Sequence, residues 1–416
     1  MPQGIAQHGT YCLARTVFRW SAVVAVCLAA LTFASPSSAQ ATLIQRGEYL
    51  ARAGDCVSCH TAPGGAPFAG GLRLDTPFGY MLAPNITPDA ETGIGRWSDA
   101  DFYRALHDGV NKHGQDMYPT MPYDFYTRAS REDVDAIYAY LRTVKPVRNE
   151  VQVNHLHFPF DQRWSMAAWR ELYFTEGTYK PDPSRSASWN RGAYLVEGFG
   201  HCSDCHSPRN LLGGIEKSKD FNGAVIDGWF ALDLTSDIAT GLGTWTADEI
   251  ATYLKTGTYK DRTTALGPMA EVIRNSLSFL VADDLRAMAE YLKSIPPESR
   301  LRTGRRAPDP TRTRGAKLYT DNCSGCHQAM GRGLPGVFPP LAGNGVVVAA
   351  DPGNILKVID GGIPARGAYI PMPGFKDKLT DQQVAEVANY IRTSWGNGAA
   401  PNATPEGVAR MRAAKN

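Results

Sequence analysis

The chain has 416 residues, and its 43 lysines and arginines nearly balance 41 aspartates and glutamates. That balance excludes the strongly basic surface that nucleic-acid binding requires, and the length is enough for roughly two to four domains. It opens with Arg15 and Arg19, an apolar run over 21–34 and the small residues Ser37-Ser38-Ala39, the pattern of a secretory leader. The run is short for a bilayer span, so residues 1–39 are expected to be a signal peptide and the mature chain to be periplasmic. Of eight cysteines, Cys12 and Cys27 lie in that leader and the rest fall in one repeated motif, which leaves none for a structural disulfide.

The motif is Cys56-Val57-Ser58-Cys59-His60, then Cys202-Ser203-Asp204-Cys205-His206, then Cys323-Ser324-Gly325-Cys326-His327. Cysteines three apart on one helical turn face the same side, so both thiols can add to the two vinyl groups of one porphyrin. The next histidine then sits beneath the ring as proximal iron ligand. A zinc knuckle or a redox cysteine pair leaves a histidine after every pair unexplained. Three haem c groups are expected, attached through Cys56 and Cys59, Cys202 and Cys205, and Cys323 and Cys326, with His60, His206 and His327 as iron ligands.

Each motif follows a helix signal with a shared opening: Arg46-Gly47-Glu48-Tyr49, Arg191-Gly192-Ala193-Tyr194 and Arg314-Gly315-Ala316-Lys317. Each is followed by Gly- and Pro-rich sequence that reads as loop, and then by an amphipathic helix, at 130–141, 283–292 and 380–391. The first two units share more: Asn85-Ile86-Thr87 before Gly93-Ile94-Gly95-Arg96-Trp97 is echoed by Asp233-Leu234-Thr235 before Gly241-Leu242-Gly243-Thr244-Trp245. The expected fold is all-α, in three tandem domains at 40–148, 186–297 and 313–397. Between them lie an aromatic-rich linker at 149–185 containing Trp164, Trp169 and Tyr173, and an Arg/Pro linker at 298–312; a polar tail follows at 398–416.

The sixth iron ligand decides the chemistry, because a haem held by two side chains carries electrons and one with an open position binds small molecules. Met121, Met269 and Met372 lie between motif and closing helix, each beside a proline: Thr120-Met121-Pro122, Pro268-Met269 and Pro371-Met372-Pro373. Prolines stiffen the backbone that must hold a weak thioether at the iron. Met117 competes with Met121 but lacks a flanking proline. His107, His113, His155, His157 and His201 recur at no common place and read as ordinary surface or core residues. In the third unit the stretch 338–343 lies where a carbonyl could accept from His327.

These residues together, with Tyr118-Pro119-Thr120-Met121-Pro122-Tyr123, Gly267-Pro268-Met269-Ala270 and Phe338-Pro339-Pro340-Leu341, resemble the three-haem cytochrome c subunits of membrane-associated periplasmic dehydrogenases. That family serves alcohol, gluconate, fructose and aldehyde dehydrogenases, and the similarity runs from about residue 41 to 397. The resemblance implies class I-like cytochrome c domains and a separate catalytic subunit that carries quinone cofactor, flavin or molybdenum. It also implies a small third subunit, ubiquinone as acceptor and peripheral attachment to the membrane. Some members end in a hydrophobic anchor, whereas residues 399–416 are polar here. A free-standing soluble carrier and a haem peroxidase are the competing readings, the latter needing an open sixth position.

Overall fold

Every repeat is framed by two crossing helices, and one glycine lets them meet. The computed structural model describes residues 38–259, 263–297, 311–365 and 369–414; residues 1–37 of the expected leader and most of the Arg/Pro linker lie outside these. Opening helices Ser38–Ala53, Ala187–Tyr194 and Arg312–Asn322 cross closing helices Arg131–Leu141, Ala282–Ser294 and Asp381–Thr393. A Cβ at Gly47, Gly192 or Gly315 would lie 1.8, 1.9 or 2.5 Å from a carbonyl oxygen of the facing helix, closer than any side chain is tolerated.

The arginine before each glycine locks the same crossing. Arg46 pairs with Asp133 at 2.6 Å, Arg191 with Asp284 at 2.7 Å and Arg314 with Glu386 at 2.7 Å, each acid sitting in the early turns of a closing helix. Each acid is buried while its arginine reaches the surface, so the cation compensates a carboxylate withdrawn from water.

The tyrosine two residues after that glycine joins the first two repeats. Tyr49 donates to Asp284 of the second repeat at 2.6 Å, and Tyr194 donates to Asp133 of the first at 2.6 Å. The exchange is reciprocal, and behind it one hydrophobic core runs through both repeats, with Leu50, Ile137 and Tyr138 meeting Phe199, Leu285 and Met288. The third repeat has Lys317 at this position, which pairs with Asp321 of its own helix instead. Its core of Tyr319, Ile355, Val384 and Ile391 is separate. Residues Leu43–Asn416 nonetheless form one compact unit.

Asp284 supplies a pH test of this junction. Burial pushes its carboxyl up, but Arg191 and the Tyr49 hydroxyl outweigh that and hold it below the ordinary carboxylate range. A depressed folded-state value contributes stability above the unfolded value of about 3.9, and this is lost as pH falls through the folded value. Asp284→Asn is expected to cost about 2 kcal/mol at neutral pH and to flatten the acid limb below about pH 4, as measured by denaturant unfolding across pH.

The structure adds to three expectations. The chain is mostly helical but not all-α: Arg73–Thr76, Gly79–Leu82 and Asn154–Leu156 form a three-stranded antiparallel sheet, and Ala224–Ile226 pairs with Trp229–Ala231, as Thr258–Tyr259 does with Thr263–Thr264. Asp227 and Gly228, both at positive φ, make the two-residue turn that such a hairpin prefers. The aromatic-rich stretch 149–185 supplies the third strand of that sheet. Its helix Trp164–Tyr173 buries Met166 and Trp169 against Met81, Tyr118 and Tyr123.

The polar tail folds as well. Helix Pro405–Ala413 buries Val408 in the third core, and Arg412 reaches Asp360 at 2.8 Å and Asp381 at 2.6 Å. Arg392 anchors the same segment. Fully buried, it donates to Val347, Ala349 and Ala400 carbonyls and to Asn402 at 3.0–3.1 Å, and burial pushes its guanidinium down to about 10. Among the described residues no helix is long and apolar enough to cross a membrane.

Candidate cofactor-binding cavities

The three histidines are oriented alike. Nδ1 of His60 meets the Pro84 carbonyl at 2.8 Å, that of His206 the Leu232 carbonyl at 2.6 Å and that of His327 the Pro339 carbonyl at 2.9 Å. A carbonyl only accepts, so Nδ1 carries the proton and Nε2 keeps the bare lone pair that an iron ligand needs. Burial pushes all three imidazoles below the ordinary histidine value, which keeps them neutral.

The accepting carbonyls of the first two sites went unpredicted, although the signal was present. Pro84 and Leu232 immediately precede the echoed Asn85-Ile86-Thr87 and Asp233-Leu234-Thr235. Thr87 donates its backbone and hydroxyl to Asn85 Oδ1 at 2.9 and 2.8 Å, and Thr235 does the same to Asp233 Oδ1 at 2.8 and 2.6 Å. The shared tripeptide is thus a side-chain-closed turn that fixes the carbonyl beside it.

The second motif opens on a large cavity lined by Cys202, Cys205, His206 and Met269, with Trp229, Leu254 and Leu292 among its apolar walls. Met269 stands in the first turn of helix Gly267–Asn275, not in a loop, with Pro268 at the helix start where its missing N–H costs nothing. At the third motif another cavity brings together Cys326, His327 and Met372 under Phe338 and Tyr369. Met372 is held by paired backbone bonds with Ile363, at 2.9 and 3.0 Å. In the first repeat Met121 packs with Cys56 against the shared core, while Met117 joins the separate cluster around Met81 and Tyr118.

The thiols suit a neutral thioether rather than thiolate chemistry. Burial pushes Cys56, Cys202 and Cys205 up to about 12 and Cys323 up to about 11, so they stay protonated at neutral pH and make poor exchange nucleophiles. Among the described residues none is in a disulfide.

The cavity at the second motif is flanked by both other repeats. Ala53 and Asp55, just ahead of the first motif, line it, as do Gly345, Val346 and Asn354 of the third repeat. Asn354 clamps Phe230 by accepting from its N–H and donating to its carbonyl, both at 2.8 Å. On the other side Asn275 donates to Ser58 within the first motif at 2.8 Å. His201, in the left-handed region ahead of Cys202, lies edge-on to Tyr126, whose hydroxyl donates to Gly54 at 2.7 Å.

Comparison with known proteins agrees with this chemistry. The cytochrome c family profile matches residues 44–145 and 313–395. The chain is 40% identical over 425 residues to the cytochrome c subunit of a quinone alcohol dehydrogenase of Gluconobacter oxydans, covering 94% of this chain and 87% of that one. It is 39% identical over 417 residues to the gluconate 2-dehydrogenase cytochrome c subunit of Pantoea cypripedii, covering 94% of both. The chain belongs to the family of dehydrogenase cytochrome c subunits. It is also 42% identical over 385 residues to a nicotinate dehydrogenase subunit of Pseudomonas putida, spanning 91% of this chain but only 32% of that protein. Cytochrome c domains imply covalent haem c. The cavities fit it: each offers apolar walls, a motif thiol, a neutral histidine with Nε2 free and a methionine.

Proposed function

We propose that this chain is a tri-haem c electron-transfer subunit of a periplasmic dehydrogenase complex. One haem c would be attached at each motif through its cysteine pair, and bound there it would supply a one-electron iron couple. His60 with Met121, His206 with Met269 and His327 with Met372 would hold its iron. The histidine carbonyl bonds fix ring orientation, and the apolar walls exclude water, which together with thioether ligation favours the reduced state.

The observation that carries this reading is the position of the second cavity, walled in part by the first and third repeats. That placement favours a relay with this site in its middle over three independent carriers. Electrons would enter from a catalytic subunit that carries quinone cofactor, flavin or molybdenum and leave toward ubiquinone, the chain being held peripherally at the membrane, with a small third subunit completing the complex. The relatives are named for alcohol, gluconate and nicotinate oxidation. Substrate choice would reside in the catalytic partner.

Gentle isolation from native membranes tests the proposal, with co-purifying chains identified by mass spectrometry and haem bands followed on adding alcohols, aldehydes, sugar acids or nicotinate. Three haems per chain, one catalytic partner and reduction by one substrate class are expected. A solitary protein that no substrate reduces would make it a free-standing carrier.

A further inference from the structure

The short hairpin of Thr258–Tyr259 and Thr263–Thr264 carries two hydroxyls that the protein leaves unsatisfied. Oγ1 of Thr263 and Oγ1 of Thr264 are both buried with no hydrogen-bond partner, and Thr263 is only 5% exposed. An orphaned buried hydroxyl is costly and calls for an explanation. Valine has the same shape and equal strand preference without that cost, so packing alone does not explain two adjacent threonines. Both residues line the second cavity, five and six positions before Met269. Thr264 also lines the third, and among the described residues no other is common to the two cavity walls.

The fit of haem c to the second cavity supplies what is missing. The rim of a haem c is apolar except for two propionate carboxylates, strong acceptors that must be paired when withdrawn from water. We infer that Thr263 and Thr264 are the carboxylate-binding part of the second site, their hydroxyls donating to haem propionate. The donors offset negative charge near the iron. Since that charge stabilises the ferric state, the hydroxyls raise the potential of this haem. Thr264, standing in the common wall, makes the carboxylate-binding edge of the second site the side turned toward the third. The inference rests on the haem assignment proposed above.

The test is a spectroelectrochemical titration of the full holo-protein, wild type against Thr263→Val and Thr264→Val, with Thr263→Ser and Thr264→Ser as conservative variants. Met269→Ala identifies which redox wave belongs to the second site. Each valine variant is expected to lower the midpoint of that wave alone, and each serine variant to restore it. Loss of the second haem from a valine variant but not from its serine counterpart would support the same conclusion. Waves unmoved by valine, serine variants as displaced as valine ones, or a shift confined to another wave would each overturn it. Wild-type haem content separates the two levels: a wild-type chain without haem at the second motif overturns both readings, whereas three haems with unmoved waves overturn this one alone.

Discussion

Met269→Ala is expected to change the second site from a low-spin electron carrier to a high-spin centre with an exchangeable sixth position. The methionine lines the same cavity as His206, Cys202 and Cys205, and helix Gly267–Asn275 fixes where its sulfur can go. Truncation leaves the thiol and imidazole attachments in place, so haem content should be unchanged while spin state and potential change. Loss of a thioether removes a ligand that favours ferrous iron, and a fall of over about 100 mV is expected, since about 59 mV is tenfold for a one-electron couple. Because the second cavity adjoins both neighbours, its fall should slow electron passage through the whole chain by about tenfold or more. Optical spectra and stopped-flow reduction by the native partner check this. An unaltered low-spin spectrum would remove Met269 from the ligand set.

Gly192→Ala is expected to prevent the first two repeats from folding together. The added methyl would lie 1.9 Å from the Ala287 oxygen, 2.5 Å from its carbon and 2.9 Å from the Tyr291 Cβ. Two of these three are backbone atoms inside a helix, so no rotamer change relieves the clash and the helices must part. Parting them also breaks the Arg191–Asp284 pair and, through Asp284, the hydroxyl bond from Tyr49. A cost of about 4 kcal/mol or more is expected, in the range where a domain of ordinary stability is lost. Gly177, whose Cβ would meet nothing within 4 Å, is the control, and Gly177→Ala should leave unfolding unchanged. Thermal unfolding of the two variants beside wild type is decisive, and equal midpoints would show that the crossing can open.

The Arg-Gly opening illustrates what was legible and what was not. As sequence it marked three repeats and placed a helix before each motif. It could not say that the glycine faces another helix, because that contact lies about ninety residues away for Gly47 and Ala136. The Tyr49–Asp284 and Tyr194–Asp133 bonds were hidden for the same reason, although Lys317 at the third position already distinguished the repeat that stands apart. The hairpin at Asp227 and Gly228 was missed because three-residue strands are too short for a period of two to rise above loop composition. The strand and helix within 149–185 and the helix of the tail are likewise visible only in the structure. Few residues of either are buried, Met166 and Trp169 in the first and Ala399, Ala403 and Val408 in the second, which leaves little local signal.

The amino-acid sequence alone determined the chemistry of the sites, since covalent attachment depends on residue types at fixed local spacing, and the Cys-x-x-Cys-His pentapeptide holds that information within one helical turn. It also carries three copies of that pentapeptide and three methionines that recur at one place between motif and closing helix. Only the tertiary structure decided how the repeats combine: a shared core for the first two, a separate core for the third, and a middle cavity walled by residues from all three. Those outcomes depend on which distant surfaces are complementary. Complementarity arises from glycine gaps, buried acids and orphaned hydroxyls brought together by packing, and no local pattern encodes it.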